Sequence, residues 1–239
     1  MTALPRRHYD LPRAGKALKD LLANPDDLPK VFTVIESLPG NALKRMRDRI
    51  LTTEEGRQML SDEPNIVPIL SNRAALRAMP EGSLAHAYLK FVESENISAE
   101  GIVDAAGVGE AAHYQDEYTW QHDRMRDTHD LWHAVTGYKG DVLGELALLS
   151  FTLGQNWHNG IAFLISGAVA RGLSKEDSWL LVEGFVRGKR AAFFPGVRWE
   201  NLLALPLAEV RERLGVGSPP KYTPVRTSEL RARGELQPA

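Results

Sequence analysis

Two histidines and two carboxylates stand close together in the middle of the chain. His129, Asp130 and His133 follow one another closely, and Glu145 comes twelve residues after the second histidine. On a helix, His129 and His133 would be neighbours on one face, about 6 Å apart along the axis. Imidazole nitrogens and carboxylate oxygens suit Zn²⁺, Fe²⁺, Mn²⁺ or Co²⁺, and the donor types alone do not select one ion. The spacing predicts a divalent-metal site.

Glu145 can approach the histidines only if the chain reverses before it. On one continuous helix, Glu145 would lie about 24 Å from His129. Gly137 and Gly140 can interrupt the helix, and Asp141 can cap the start of the next one. We therefore predict a site between two consecutive antiparallel helices. Asp130, about 100° round the helix from His129, is either a third ligand or a hydrogen-bonding partner behind the ligands.

The histidines of the chain can also be explained without a metal. A single histidine on an apolar face is usually hydrogen-bonded in the core, and a pair spaced by four residues, such as His129 and His133, also occurs by chance. The adjacent carboxylate and Glu145 favour metal binding over that explanation. His122 and Asp123 form a second His-Asp pair, but no histidine follows four residues after His122. That pair is interpreted either as a hydrogen-bonding partner behind the metal ligands or as an ordinary surface pair.

The elements that must position the site have helical periodicity. Apolar residues recur at helical spacing from Lys16 onward, and no run of useful length alternates between polar and apolar residues. A central helix is predicted from about residue 115 to Thr136, with capping signals at Thr52, Ser83 and Ser174 before other helices. Pro206 is predicted to open the last helix. The expected fold class is all-α, a single-domain helical bundle.

Three segments are expected along the chain. Residues 1–15 are predicted to be a flexible N-terminal arm, residues 16–216 the helical metal-binding domain, and residues 217–239 a mobile tail rich in Pro, Arg and Ser. Residues 146–170 form a run without Lys, Arg, Asp or Glu, and this run is long enough in principle to span a bilayer. Because Gln155, Asn156 and His158 interrupt this run, two buried or membrane-contacting helices are favoured.

The overall composition excludes several classes of function. The 239 residues contain no cysteine, so disulfides, Fe–S clusters and thiolate zinc sites are excluded. The net charge of −2, from 29 basic and 31 acidic residues, gives no electrostatic footprint for nucleic acid. The N-terminus has no apolar segment typical of a secretory signal.

The metal pattern resembles that of a known family. His129-Asp130-x-x-His133, eleven residues and then Glu145 resembles the metal motif of the coenzyme Q (ubiquinone) biosynthesis protein 4 family. Flanking similarity covers roughly Lys16 to Val216 and includes Ser61-x-x-Pro64, Pro80-Glu81-Gly82-Ser83-Leu84, Gly188-Lys189-Arg190 and Arg198-Trp199-Glu200. The chain departs from the family at Gln155-Asn156-Trp157-His158, where a plainer glycine-containing turn is usual.

The resemblance implies a function in ubiquinone biosynthesis. It implies a bound divalent metal, usually zinc, with His129, Asp130, His133 and Glu145 as ligands and catalytic residues. The expected reaction is oxidative decarboxylation at ring carbon 1 of a polyprenylated 4-hydroxybenzoate, in which a hydroxyl replaces the carboxylate. Expected partners are this quinone precursor, the membrane surface as a peripheral contact, and other ubiquinone-biosynthesis proteins. A homodimer is left open, and nucleic acid is not expected as a partner.

The location and the substrate contacts follow as further expectations. Because no mitochondrial-type presequence is visible, we expect a bacterial homologue at the cytoplasmic side of the inner membrane. The candidate cations for the substrate carboxylate, by default ordinary solvated charges, are Arg124, Arg126, Lys139, Arg187 and Arg190. The candidate wall for a prenyl chain, by default ordinary core, is residues 146–170 with Phe185, Phe193 and Phe194.

Two other functions compete with the metal-dependent decarboxylase. One is a non-catalytic scaffold that binds prenyl lipid, organises a quinone-biosynthesis complex and carries a structural metal. The sequence does not separate the two, since four ligands suit a closed structural site and a labile catalytic one alike. The other is an HD-type phosphohydrolase, which requires an upstream histidine and a distant downstream aspartate. The spacing from His129 to Glu145 disfavours that class.

Overall fold

The protein is built from α-helices and short connections. The computed structural model describes residues 8–101, 118–234 and 236. The α-helices that lie entirely in these ranges are α1 (Leu11–Ala23), α2 (Leu28–Ser37), α3 (Ala42–Ile50), α4 (Glu54–Asp62), α5 (Val67–Ser71), α6 (Arg73–Arg77), α7 (Leu84–Glu95), α8 (Thr119–Asp127), α9 (His129–Thr136), α10 (Val142–Gln155), α11 (Asn159–Gly172), α12 (Lys175–Arg190), α13 (Leu207–Arg213) and α14 (Thr227–Ala232). Two 3₁₀ turns, Phe194–Gly196 and Trp199–Asn201, separate α12 from α13. The prediction of an all-α, single-domain fold is confirmed.

Short polar side chains start several of these helices by accepting hydrogen bonds from free backbone N–H groups. Ser83 accepts from the N–H of His86 before α7, and Ser174 accepts from Asp177 before α12, both as predicted. The cap before α4 was predicted one residue too early. Thr53, not Thr52, accepts from the N–H of Gly56. Thr52 instead donates its hydroxyl to the carbonyl of Arg49, in the turn that follows α3.

The central helix is divided at Thr128. Its predicted start near residue 115 lies outside the described residues, and the described part begins at Thr119. The hydroxyl of Thr128 donates to the carbonyl of Arg124 at 2.8 Å, a back-bond that tends to bend helices. Backbone hydrogen bonds continue across the junction, since Trp132 donates to the carbonyl of Thr128 at 3.2 Å. The bend at Thr128 separates α8 from α9. The metal motif consequently starts at the first residue of α9, His129, and not inside one long helix.

Helix α9 lies in the middle of the main core. Leu131, Trp132 and Val135 are buried, and their neighbours come from α7, α10 and the 3₁₀ turns. The ring of Phe194 meets Trp132 edge-on with centroids 5.1 Å apart, and it packs against Phe151 at 5.0 Å. Aromatic clusters of this kind bury large areas and fix ring positions. One face of α9 is thereby held in the core while His129 faces a cavity.

Helices α10 and α12 approach each other closely because glycines line their contact. A Cβ on Gly188 would collide with the backbone carbonyl of Phe151, and one on Gly154 with the carbonyl of Phe185. A Cβ on Gly184 would lie 2.7 Å from the carbonyl of Ala147. Gly188, which belongs to the Gly188-Lys189-Arg190 segment of the family resemblance, therefore has a packing role, since only glycine leaves room for the facing backbone.

The uncharged run of residues 146–170 forms two helices rather than one span. Helix α10 ends at Gln155, and α11 begins at Asn159 with the side chain of His158 accepting the N–H of Gly160. The buried Gln155 donates to the carbonyl of Gly188 and accepts the N–H of Phe194, at 2.6 and 2.8 Å. Gln155, in the unusual polar stretch, thus connects the end of α10 to α12 and to the first 3₁₀ turn. Among the residues that the structure describes, no helix has the length and apolarity to cross a membrane.

Both ends of the described chain have more helix than the sequence suggested. Helix α1 begins at Leu11, so the helical part starts before the predicted boundary at residue 16. Helix α14 lies inside the segment 217–239, which also means that α13, opened by Pro206, is not the last helix. The hydroxyl of Thr227 donates to Asp26 at 2.6 Å, and Arg231 donates to Asn24 at 2.8 Å. The tail therefore contacts the connection between α1 and α2, and its mobility stays a prediction.

Candidate metal centre

The turn between α9 and α10 brings the motif together. Gly137 ends α9 with φ of 83°, a left-handed conformation that glycine adopts without strain. Asp141 then accepts the N–H groups of Leu143 and Gly144 at 3.2 and 3.3 Å, which starts α10. Glu145 consequently lies in the first turn of α10 and faces the histidines. The predicted chain reversal is present, and the local reasons for it are those read from the sequence.

Three of the four predicted site residues form one cluster. Each of His129, His133 and Glu145 offers a ligand atom, and these atoms all lie within 4.8 Å of one another. The Glu145 oxygens lie 3.2 Å from Nε2 of His133 and 3.7 Å from Nε2 of His129. The two imidazole centroids are 4.7 Å apart with planes at 74°. This group could hold a divalent ion between two nitrogens and a carboxylate.

The hydrogen bonding of His133 is set by its surroundings. Its Nδ1 lies 3.0 Å from the backbone carbonyl of Tyr138, and because a carbonyl only accepts, Nδ1 carries a hydrogen. The tautomer that this contact favours would present the lone pair of Nε2 to the cluster. This nitrogen is buried without a hydrogen-bond partner, and it faces a carboxylate oxygen, which is another acceptor. A cation between the two acceptors would satisfy both, so the donor set fits a metal.

Asp130 lies beside the cluster rather than in it. Its Oδ1 is 3.4 Å from Nδ1 of His129, the nitrogen on the far side of that ring from Glu145. A carboxylate at this nitrogen fixes the orientation of the ring and makes the other nitrogen a better ligand. Of the two roles that the sequence left open for Asp130, the geometry favours the hydrogen-bonding partner over the third ligand.

The electrostatics of the cluster favour a positive charge. Burial is the largest influence on Glu145 and acts to raise its pKa, but His133 and His129 outweigh it and lower the pKa to about 2. Burial is also the largest influence on His129 and acts to lower its pKa. The hydrogen bond that His129 donates to Asp130 and the charge of Glu145 together raise the pKa of His129 above its ordinary value. The carboxylates thus stabilise a cation at this position.

The cluster opens on a large cavity. The cavity has a volume of about 1140 Å³ and is lined by His129, Asp130 and Glu145. Its walls are largely apolar and include Leu21 of α1, Val31 of α2, Leu146 and Leu149 of α10, and Leu164 of α11. Ligand pockets are commonly apolar with a few polar groups at one place. The arrangement can hold a long apolar molecule whose polar end reaches the metal group.

Several predicted substrate contacts lie elsewhere. Arg124 donates to both oxygens of Glu200, at 2.7 and 2.8 Å, and its side chain is only 4% exposed. Arg126 pairs with Asp127, and Arg187 donates to the carbonyls of Thr136 and Val216. None of the five predicted cations lines the cavity.

The predicted apolar wall is correct only in part. Leu146, Leu149 and Leu164 line the cavity, whereas Phe185, Phe193 and Phe194 do not. Phe194 is fully buried in the aromatic core, and Phe193 lies under the guanidinium of Arg49. The arginines that do line the cavity were not predicted from the sequence; they are Arg73, Arg171, Arg226 and Arg233. No local signal marks them, because they come from α6, α11 and the tail and meet only in the folded chain.

The fold and the site define a class of protein: an all-α protein with a two-histidine, one-carboxylate group on the wall of a largely apolar cavity. The family model for coenzyme Q (ubiquinone) biosynthesis protein Coq4 matches residues 13–220, and the chain belongs to this family. A part in ubiquinone biosynthesis follows from that membership.

Individual relatives agree with this assignment. The chain is 28% identical over 208 residues to the mitochondrial ubiquinone biosynthesis protein COQ4 homolog of Rattus norvegicus, covering 84% of this chain and 76% of the relative. It is 28% identical over 216 residues to the homolog of Homo sapiens, covering 87% and 78%. A crystal structure from Nostoc punctiforme PCC 73102, described provisionally as a ubiquinone biosynthesis protein, matches with a TM-score of 0.65 and 23% identity. That match covers 88% of this chain and all of the other, and it supports the fold.

Proposed function

We propose that the protein is a metal-dependent enzyme that replaces the carboxylate at ring carbon 1 of a polyprenylated 4-hydroxybenzoate with a hydroxyl group. The observation that carries this proposal is the position of the metal group on the wall of an apolar cavity of about 1140 Å³. An aromatic acid with a prenyl tail has the same division into a polar end and an apolar body. Family membership supplies the pathway, and the cavity supports the substrate class.

The ion would be held by His129, His133 and Glu145, with Asp130 holding the ring of His129. Two histidines and one carboxylate leave coordination positions open, which suits a catalytic site better than a closed structural one. When bound, a divalent ion supplies a Lewis acid and a place to bind substrate oxygen. Zinc is implied by the family resemblance. The same donor set is typical of non-haem iron oxygenases, so iron, manganese and cobalt remain candidates.

The reaction needs an oxidant and balances with dioxygen. The bond between ring carbon 1 and the carboxyl carbon breaks, carbon dioxide leaves, and a new carbon–oxygen bond forms at the ring. One aromatic acid, one dioxygen, two protons and two electrons give one phenol, one carbon dioxide and one water. The ring carbon is oxidised, and an external reductant supplies the two electrons. The chain's own part is to orient the ring at the metal group and to exclude water with Leu146, Leu149 and Leu164.

The location and the partners are proposed on the same basis. A polyprenylated precursor resides in a membrane, so the protein must reach the membrane surface to obtain it. Trp179 and Val182 of α12 are 62% and 50% exposed, which supports a peripheral contact through apolar side chains. We place this contact at the cytoplasmic side of a bacterial inner membrane. Other ubiquinone-biosynthesis proteins and a second copy of the chain are proposed partners.

Turnover by the purified protein tests the proposal. The protein is loaded separately with zinc, iron, manganese or cobalt, and it is given 3-geranyl-4-hydroxybenzoate, dioxygen and a chemical reductant. We expect release of carbon dioxide and formation of the ring phenol with at least one metal. Both products should be lost in His133→Ala and Glu145→Gln but retained in His122→Ala, a histidine outside the cluster. Absence of products with every metal would overturn the enzymatic proposal.

The alternative is a scaffold that binds prenyl lipid and carries a structural metal. The cavity itself suits this role, because it would hold a prenyl chain whether or not chemistry follows. A scaffold predicts that the geranyl acid binds without turnover, and that metal removal lowers the thermal midpoint of unfolding together with lipid binding. An enzyme predicts binding that persists when the metal is removed but no product formation. The two outcomes separate the functions.

A further inference from the structure

We propose that Arg73 binds the carboxylate of the substrate and thereby selects an aromatic acid over its uncharged analogues. This inference rests on the proposed function, because it assigns a specificity-determining residue to the same cavity. Arg73 is the first residue of α6 and lines the cavity together with His129, Asp130 and Glu145. It lies outside the metal motif and outside the group of cations that the sequence suggested.

The side chain of Arg73 is held in place by the backbone. One of its guanidinium nitrogens donates to the carbonyl of Ile97 at 2.8 Å, and Ile97 and Ser98 also line the cavity. A guanidinium carries five N–H donors in a rigid fork, so this contact leaves donors for a ligand. A fixed fork loses little freedom when it binds a carboxylate, and it can do so with two parallel hydrogen bonds. Arg73 therefore has the geometry of a prepared anion contact.

Helix α7 links the position of Arg73 to the metal group. Phe91 of α7 lines the cavity, and its ring stacks on His133. Asn96 and Ile97, which follow α7 directly, line the same cavity, and Arg73 donates to the carbonyl of Ile97. Arg73 therefore lies on the α7 side of the cavity, the side on which Phe91 contacts the metal group.

The other cations of the cavity are less suited to this role. Arg226 has a carboxylate partner already, because its guanidinium nitrogens lie 3.2 and 3.4 Å from the oxygens of Glu95. Arg171, near the end of α11, donates to the carbonyl of Leu22 of α1. Arg233 follows α14 and is exposed. Glu100 is the acidic residue influenced by Arg73, but hydrogen bonding to Ser71 is the main cause of its lowered pKa, and the charge of Arg73 contributes least.

The chemical consequence is a defined orientation of the ring. A carboxylate on Arg73 places ring carbon 1 at the metal end of the cavity and directs the prenyl chain along the leucines of α10 and α11. Phe91 lies at the same end, where its ring stacks on His133 with centroids 4.6 Å apart, and it lines the cavity. The aromatic wall and the guanidinium together fit a benzoate. A neutral ring substituent would leave the charge of Arg73 without its partner.

A pair of probes tests this role independently of turnover. The probes are 3-geranyl-4-hydroxybenzoate and the matching carboxamide, which has nearly the same shape but no negative charge. Their dissociation constants are measured by titration calorimetry without dioxygen for wild type, Arg73→Gln, Arg73→Lys and Arg77→Gln. Arg77 is the matched control, since it lies on the same helix, pairs with Glu93 and does not line the cavity. Thermal unfolding of each variant verifies the fold.

The expected result is a loss confined to the acid. Wild type should prefer the acid, and Arg73→Gln should weaken acid binding on the order of ten- to a hundredfold while carboxamide binding stays within about twofold. Arg73→Lys should lie between them, and Arg77→Gln should match wild type. If wild type prefers the acid and Arg73→Gln keeps that preference, the role of Arg73 is overturned while the substrate class stands. If wild type binds neither probe, the proposed function itself fails.

Discussion

At the scale of single residues, the site depends on what lies behind each histidine. His133 gives its Nδ1 hydrogen to the carbonyl of Tyr138, and His129 has Asp130 at its own Nδ1. In both rings the other nitrogen is directed at Glu145. This division of roles separates the residues that would contact a bound ion from those that would orient a ligand. It also predicts different consequences for substitutions at neighbouring positions.

Substitution of Asp130 should weaken the metal site without abolishing it. Asp130→Asn keeps the shape of the side chain but loses the charge at His129. We expect affinity for a divalent ion to fall about 10–100-fold, the usual effect of losing such a partner. His133→Ala removes a ligand and should cost more, while His122→Ala should bind metal as wild type does. Competition with a chromophoric chelator measures all three. A loss in Asp130→Asn as severe as that in His133→Ala would make Asp130 a direct ligand.

At the scale of elements, Asp141 connects the turn between α9 and α10 to the C-terminal tail. It is 2% exposed, and besides starting α10 it accepts the hydroxyl of Tyr222 and the N–H of Val225, both at 2.8 Å. Tyr222 also accepts the N–H of Lys139 at 2.8 Å, within the turn between α9 and α10. A single carboxylate thus holds the helix that carries Glu145 and the tail that covers part of the cavity.

Removal of Asp141 should therefore destabilise the fold more than removal of an ordinary cap. Asp141→Ala loses a cap and leaves buried donors of the tail without their acceptor, for a cost of about 3 kcal/mol in the free energy of unfolding. Ser174→Ala, the control, removes only the cap of α12 and should cost about 1 kcal/mol. Urea unfolding measures both values. Equal costs would show that the contacts of Asp141 to the tail contribute little to stability.

At the scale of the whole molecule, helices distant in sequence enclose one cavity, and a buried ion pair links the central helix to the C-terminal part. The cavity wall combines α1, α2, α10, α11 and the tail. The Arg124–Glu200 pair joins α8 to the second 3₁₀ turn, with side chains 4% and 17% exposed. Each feature leads to an expectation that no single helix would provide.

Narrowing the cavity should discriminate between substrates by chain length. Leu149→Trp places a larger side chain on the wall, so a long prenyl chain loses room while a short one keeps it. We expect affinity for a long-chain prenylated hydroxybenzoate to fall about tenfold or more, and affinity for a short-chain analogue to change by less than about threefold. Ile69→Trp, at an exposed position of α5 that does not line the cavity, is the control. Equal losses for both chain lengths would place the prenyl chain elsewhere.

The ion pair should make stability depend on pH. Burial acts to raise the pKa of Glu200, but the hydrogen bonds and charge of Arg124 outweigh it and lower the pKa below its ordinary value of 4.5. The folded state therefore gains stability from ionised Glu200 above about pH 4.5, and that gain disappears as pH falls through the lowered pKa. Glu200→Gln should lose about 3 kcal/mol at neutral pH, because Arg124 stays buried without its partner.

The loss in free energy of unfolding caused by Glu200→Gln should become smaller as the pH falls below 4.5. Wild-type Glu200 is then protonated first in the unfolded state and, at its lowered pKa, in the folded state as well. Denaturant unfolding at a series of pH values follows this change. Glu209→Gln is the control, because Glu209 pairs with Arg213 on the surface and both side chains are well exposed. A stability difference that stays constant down to acid pH would contradict the assignment.

The sequence by itself determined the helical class, four candidate metal ligands and the turn that assembles them, and the folded chain brings three of the four into one cluster. Those features depend on residues close together in the chain: the i, i+4 histidines, the left-handed Gly137 and the capping Asp141. Local hydrogen bonding and backbone geometry fix such arrangements, so their spacing is visible in one dimension. Thr53 shows the limit of this reasoning, because two adjacent threonines can cap a helix and only the folded geometry selects between them.

The tertiary structure decided which residues share the cavity. Arg73 of α6 lines the same cavity as His129 and Glu145, whereas Arg124, five residues before the motif, pairs with Glu200. Phe194 belongs to the aromatic core, and the C-terminal tail forms part of the cavity wall. Contacts between distant segments depend on how helices pack, and each surface residue carries the same local signal whether it faces solvent or a cavity. Packing therefore decided which residues line the cavity, and the sequence identified the candidate metal ligands.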